Sequence, residues 1–113
     1  FLGHLSSMEI VRLVKHAQTM VVPSIWYENN PLSVIESLCM GTPVIGAEVG
    51  GIPELIREGD GMLFRMGDKE ELASAIVSVM SKDNVDTQGI AQRAQKRFSE
   101  ERYWAELKNV YDL

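Results

Sequence analysis

The run Met20-Val21-Val22-Pro23-Ser24-Ile25-Trp26-Tyr27-Glu28-Asn29-Asn30-Pro31-Leu32-Ser33-Val34-Ile35-Glu36 changes character twice along its length. Its first three residues are apolar and mostly β-branched, and Pro23-Ser24 stops them, which is the pattern of a short buried strand opening into a loop. From about Pro31 to Met40 the apolar positions recur at helical spacing, and Gly41 ends the helix. Asn30 suits the N-cap and Pro31 the first helical position, where a missing N–H is no loss.

The same alternation continues toward the C-terminus. Thr42-Pro43 leads into Val44-Ile45-Gly46-Ala47, a second unbroken apolar run. Gly50-Gly51-Ile52-Pro53-Glu54 reads as a turn into a short helix ending near Gly59, and Met62-Leu63-Phe64 as a third short strand. Beyond Asp68 only helices are predicted. Asp68 caps the first, running to about Ser81 with Leu72, Ala73, Ile76, Val79 and Met80 on one face. Two more cover roughly 87–98 and 99–111, the last with an apolar stripe of Trp104, Leu107, Val110 and Tyr111 read as packing surface. Toward the N-terminus, Ser6 or Ser7 caps a surface helix through about Ala17, with Ile10, Val11, Leu13, Val14 and Ala17 on one arc. Phe1-Leu2-Gly3 resembles the end of another strand, and with no start methionine the opening suggests a fragment. Short strands that are apolar throughout and separated by helices predict an open α/β arrangement, a parallel sheet covered on both faces.

Composition narrows the function classes. The 113 residues are 45% apolar, enough for one modest core. The charged fraction is 24%, the net charge −5, and no Lys/Arg run marks a nucleic-acid surface, so nucleic acid is not expected as a direct partner. A single cysteine, Cys39, is expected to be a buried reduced thiol, which favours a cytoplasmic setting. No apolar stretch approaches the roughly 20 residues of a membrane span.

In parallel α/β sheets ligands bind beyond the carboxyl ends of the strands, here the loops after Val22, Ala47 and Phe64. The free N–H groups of Leu32 and Ser33 at the helix start would face that end and favour an anion, with about 0.3–1 kcal/mol from the helix dipole. Helix starts of this kind usually bind nothing, so the two carboxylates matter. Glu28 precedes the helix, where it would repel a phosphate unless it accepts hydrogen bonds from hydroxyls. Glu36 lies beside the apolar arc of Val34, Ile35 and Leu38, where a carboxylate reaches solvent, caps a neighbour, or accepts from a diol. Trp26 and Tyr27 either line this mouth or pack on a helix, and Gly50-Gly51 admits a close ligand or simply a turn. His4 and His16 have no companion at a metal-ligand spacing.

Glu28 and Glu36, following Val22-Pro23-Ser24 and followed by Gly41-Thr42-Pro43-Val44-Ile45, resemble the two-glutamate motif of family-four retaining glycosyltransferases. These enzymes have the two-domain GT-B architecture. Gly50-Gly51-Ile52-Pro53-Glu54, Gly59 with Gly61-Met62-Leu63-Phe64, and Gly67-Asp68 through Leu72-Ala73 and Ile76 resemble the family's next segments in order, so the likeness covers nearly the whole chain. It implies that residues 1–113 are the C-terminal part of a Rossmann-like, nucleotide-sugar-binding second domain, with the helices of about 87–113 packed on it or toward an N-terminal acceptor domain.

The resemblance also implies roles. Glu28 would contact hydroxyls of the donor sugar and act in catalysis, Glu36 would accept from the ribose hydroxyls, and the N–H groups of Asn30, Leu32 and Ser33 would hold the sugar and diphosphate. Many members have glycine at the position of Pro31, so one backbone contact of the usual set has no N–H here. The implied reaction transfers a sugar from a UDP- or GDP-linked donor to an acceptor hydroxyl with retention, without a metal or cofactor. Its acceptor would be a glycan or a lipid-linked molecule bound through the N-terminal domain, in polysaccharide or glycolipid synthesis. Any membrane association would be peripheral, at the inner face, and the fragment alone would transfer no sugar. Two other readings are a nucleotide-sugar epimerase of the same architecture and a non-catalytic α/β interaction module.

Overall fold

A computed structural model describes residues 2–26 and 31–101. Three parallel strands, β1 (Met20–Val22), β2 (Val44–Ala47) and β3 (Gly61–Phe64), lie in the order β1-β2-β3. Val21 is level with Ile45, and Ile45 with Met62. Every residue of β2 is buried, which is why the central strand reads as an unbroken apolar run rather than an alternating one.

Among the described residues five helices accompany the sheet: α1 (Ser7–His16), α2 (Leu32–Cys39), α3 (Ile52–Leu55), α4 (Lys69–Met80) and α5 (Thr87–Arg97). Alternate side chains of β2 divide the core in two. Val44 joins Val34 and Leu38 of α2, Ile52 and Leu55 of α3, and Ile90 and Ala94 of α5. Ile45 and Ala47 point the other way, onto Phe64 and onto Ala75 and Val79 of α4. Burying Leu38 fully contributes about 1.5–3 kcal/mol, so its position on the inner face holds α2 firmly. Gly46 falls where α3 comes closest, because a Cβ there would lie 2.6 Å from side-chain carbons of both Ile52 and Ile56.

The predicted helix signals are realised at most termini. Ser6 caps α1 in a reciprocal box with Glu9, and Asp68 accepts from the Glu71 N–H. Gly41, at φ +86°, closes α2 as expected, its N–H bonding to the Leu38 carbonyl while the Thr42 N–H reaches Ser37, which satisfies two orphan carbonyls.

Several expectations are corrected. The cap of α2 is Pro31, not Asn30, since the extended ψ of 111° at Pro31 delays the helix by one residue. The short helix after Gly51 is a single turn ending at Leu55 rather than near Gly59, because Ile56 turns extended to bury its side chain. The inner face of α4 is Leu72, Ala75, Ile76 and Val79, with Ala73 and Met80 outside, so the helix is rotated from the predicted arc. Leu2 and Gly3 form no strand, and Leu2 is exposed. On α1 the apolar arc is present, but Ile10, Val11 and Leu13 are exposed and no described residue covers them. The stripe of Trp104, Leu107, Val110 and Tyr111 lies outside the described residues.

Candidate functional site

Because α2 follows β1 in a parallel β-α unit, its N-terminus opens at the carboxyl end of the sheet. The first hydrogen bond of the helix is the one from the Val34 N–H to the Pro31 carbonyl, at 3.1 Å. Leu32 and Ser33 therefore precede the intrahelical ladder, and among the described residues their N–H groups have no partner. Both residues are exposed, Leu32 by 65%. The helix can be presented this way because its other side, Val34, Ser37 and Leu38, is buried.

Glu36 is exposed one turn farther along α2, and among the described residues no group pairs with it. Of the alternatives left open for this carboxylate, the structure favours the one in which it reaches solvent, because the buried face of α2 is Val34, Ser37 and Leu38. Its charge acts on Cys39, whose thiol is pushed above the usual range by burial first and by the nearby Glu36 charge second. Cys39 itself is half-buried rather than fully buried, and free. Glu28, Asn30 and Tyr27 lie outside the described residues.

After β1 and β3 the mouth of the sheet is shallow and mainly apolar. Pro23, Ser24, Ile25 and Trp26 line a groove of about 350 Å³, and Pro23 and Ile25 also meet Phe64, Gly67, Asp68, Lys69 and Leu72 around about 150 Å³. Trp26 is 66% exposed, which favours the reading in which it lines the mouth over one in which it packs on a helix. The loop after β2 is held by the Glu48 N–H donating to the Phe64 carbonyl at 2.8 Å. Gly50 there has φ +58°, so a turn accounts for one glycine of the pair without any ligand. His4 and His16 are both exposed, and no group of three His, Cys, Asp or Glu residues suited to a metal forms among the described residues.

At the opposite, amino end of the sheet lies a charged cluster that no sequence pattern announces. Asp60 is buried and paired with Arg93 at 3.0 Å and Arg97 at 3.8 Å. Arg97 also donates to the carbonyls of Leu55, at 3.0 Å, and Glu54, at 2.7 Å. The partners are far apart in the chain, so no local pattern could announce them.

The profile of the family described as glycosyl transferases group 1 matches residues 1–100. The chain belongs to this family. It is 32% identical over 105 residues to a glycogen synthase of Mycobacterium tuberculosis, covering 92% of this chain and 25% of the relative. It is 27% identical over 117 residues to the O-antigen chain mannosyltransferase B of Escherichia coli, covering 100% of this chain and 30% of that one. The crystal structure of Anabaena HepE in complex with UDP shares the fold with a TM-score of 0.73 at 22% identity, over 90% of this chain and 29% of the other. The chain thus spans about a quarter to a third of the length of these proteins. The open parallel α/β architecture expected from the strand pattern is the one observed.

Proposed function

We propose that the intact protein is a retaining, family-four hexosyltransferase, and that residues 1–113 form the part of its second domain that holds a nucleotide-sugar donor. The observation that carries this reading is the start of α2. Two backbone N–H groups open at the carboxyl end of the sheet, and an unpartnered carboxylate, Glu36, stands one turn beyond. Diphosphate oxygens accept from the N–H groups of Leu32 and Ser33, and the ribose diol donates to Glu36. Family resemblance assigns the sugar hydroxyls to Glu28, as the catalytic contact, and a further backbone contact to Asn30.

The chemistry required of this end of the domain is stabilisation of the departing nucleoside diphosphate as the bond from the anomeric carbon to its oxygen breaks. Charge grows on the diphosphate in that step, and fixed N–H dipoles at a helix start meet it without reorganising. A carboxylate beside the sugar favours the oxocarbenium character that develops at the same time. The acceptor, a glycan or lipid-linked hydroxyl in polysaccharide or glycolipid synthesis, enters from the other domain. A cytoplasmic protein that docks peripherally on the membrane suits such an acceptor.

The test is incubation of the full-length protein with UDP- and GDP-linked hexoses and a panel of glycan and lipid acceptors, with the anomeric configuration of the product read by proton NMR. A product that keeps the donor's configuration supports the proposal. Inverted product, or interconversion of the donor sugar without any acceptor, overturns it.

A further inference from the structure

We propose that the cavity at the amino end of the sheet is a second anion site, one that takes a phosphate-bearing ligand. It encloses about 250 Å³ and is lined by Arg57, Glu58, Asp60, Arg93, Lys96 and Arg97. That is room enough for a phosphomonoester or a diphosphate group. Four cations face two carboxylates there, although the whole chain carries a net charge of −5.

The site is assembled from three elements. On α5, Arg93, Lys96 and Arg97 are spaced i, i+3 and i+4, which places them on one side of the helix. Arg57 and Glu58 come from the loop after α3, and Asp60 from the residue just before β3. The floor is rigid. Asp60 lies between the guanidinium groups of Arg93 and Arg97, and Arg97 is anchored on the Leu55 and Glu54 carbonyls and stacks 4.6 Å from the centroid of the Phe98 ring. Two guanidiniums around one carboxylate leave the floor with an excess of positive charge. Arg57 and Lys96 are exposed beside it, and among the described residues neither side chain forms a hydrogen bond or ion pair. The dipole of α5 accounts for a cation at Lys96, in the last turn, but not for Arg57 on a separate loop.

Converging cations over a fixed positive floor concentrate anions, and arginine forks match phosphate oxygens. The ligand is either a soluble phosphate ester or the headgroup of an anionic lipid. Because Asp60 adjoins the amino end of β3, this cavity and the start of α2 lie at opposite ends of the sheet, and the inference does not depend on the donor reading.

The test is calorimetric titration of the full-length protein with inorganic pyrophosphate at low salt, with and without UDP, together with co-sedimentation on phosphatidylglycerol and phosphatidylcholine vesicles. Pyrophosphate held at α2 is displaced by UDP, whereas pyrophosphate held at the amino end is not. The expected result is UDP-insensitive binding that weakens about tenfold or more in the Arg57→Ala/Lys96→Ala double variant and is unchanged in Glu36→Ala. Both substituted residues are exposed, so circular dichroism should show the fold intact. Retention on phosphatidylglycerol but not phosphatidylcholine vesicles, lost in the double variant, would instead assign the site to a lipid headgroup. Binding of either probe that the double variant leaves unchanged, or binding of neither, overturns the proposal. Should the full-length protein bind no UDP at all while the double variant still loses pyrophosphate binding, the donor reading fails and this one stands.

Discussion

The two ends of the sheet treat their polar groups in opposite ways. At the amino end, buried Asp60 is held by two arginines, and Arg97 is committed to two backbone carbonyls besides. At the carboxyl end, the N–H groups of Leu32 and Ser33 precede the helix ladder, and Glu36 has no partner among the described residues. One end joins α5 to the sheet, and the other leaves its hydrogen-bonding groups without partners among the described residues. Substitutions within the Asp60 network and at the start of β3 should therefore cost stability, and those at the start of α2 should cost nucleotide binding.

The largest effect is expected at Gly61. Its φ of +153° suits glycine alone, and a Cβ there would overlap the backbone of Val44 on the neighbouring strand. Gly61→Ala should destabilise by more than about 3 kcal/mol in urea unfolding, because strained backbone and a strand-to-strand clash add. A loss below about 1 kcal/mol would show that β3 can move away from β2 freely, and the amino end would not be the rigid one.

Next is Asp60→Ala, which leaves the largely buried Arg97 without its carboxylate. Removing one partner of a buried pair costs about 3–5 kcal/mol, and the half-exposed Arg93 places this case near the lower figure. An unfolding midpoint equal to that of the unmodified protein would mean that the two backbone carbonyls alone hold Arg97 in place.

The smallest effect concerns Cys39, at the far end of α2 from the helix start. Its raised thiol pKa means that the folded protein holds this proton more tightly than the unfolded chain. The resulting stability is complete below the unfolded thiol pKa and is lost as pH rises through the higher folded value. As the only cysteine it gives a clean signal. Its iodoacetamide alkylation should lag that of a free thiol across the ordinary thiol range. Glu36→Gln should narrow the lag only in part, since burial is the larger cause. Complete loss of the lag in Glu36→Gln would reverse that order.

What the sequence made legible follows the same division. Val44-Ile45-Gly46-Ala47 declared a buried parallel strand because both its faces are covered, and Ser6-Ser7 declared a helix start, which the structure places at Ser6. Such signals are local. The Asp60 cluster joins residues 33 positions apart at Arg93, and nothing near Asp60 distinguishes it from a turn aspartate between glycines. The rotation of α4 was equally hidden, since Ala73 and Ala75 are both small and apolar and only contact with Ile45, Ala47 and Phe64 selects Ala75. At the carboxyl end the candidate residues were legible through helix-start chemistry and family resemblance. The exposure of Glu36 was not, because it depends on which side of α2 meets the sheet and α5.

The central claim is that α2 presents a nucleotide site whose ribose acceptor is Glu36. Its most direct test is calorimetric titration of the full-length protein, unmodified and as Glu36→Ala, with UDP, GDP and ADP. Selective binding of one nucleotide that weakens by about 1–3 kcal/mol in the variant, with unfolding stability changed by less than about 0.5 kcal/mol, is the predicted result. Equal affinity in both proteins, or no nucleotide binding by the folded protein, would contradict it.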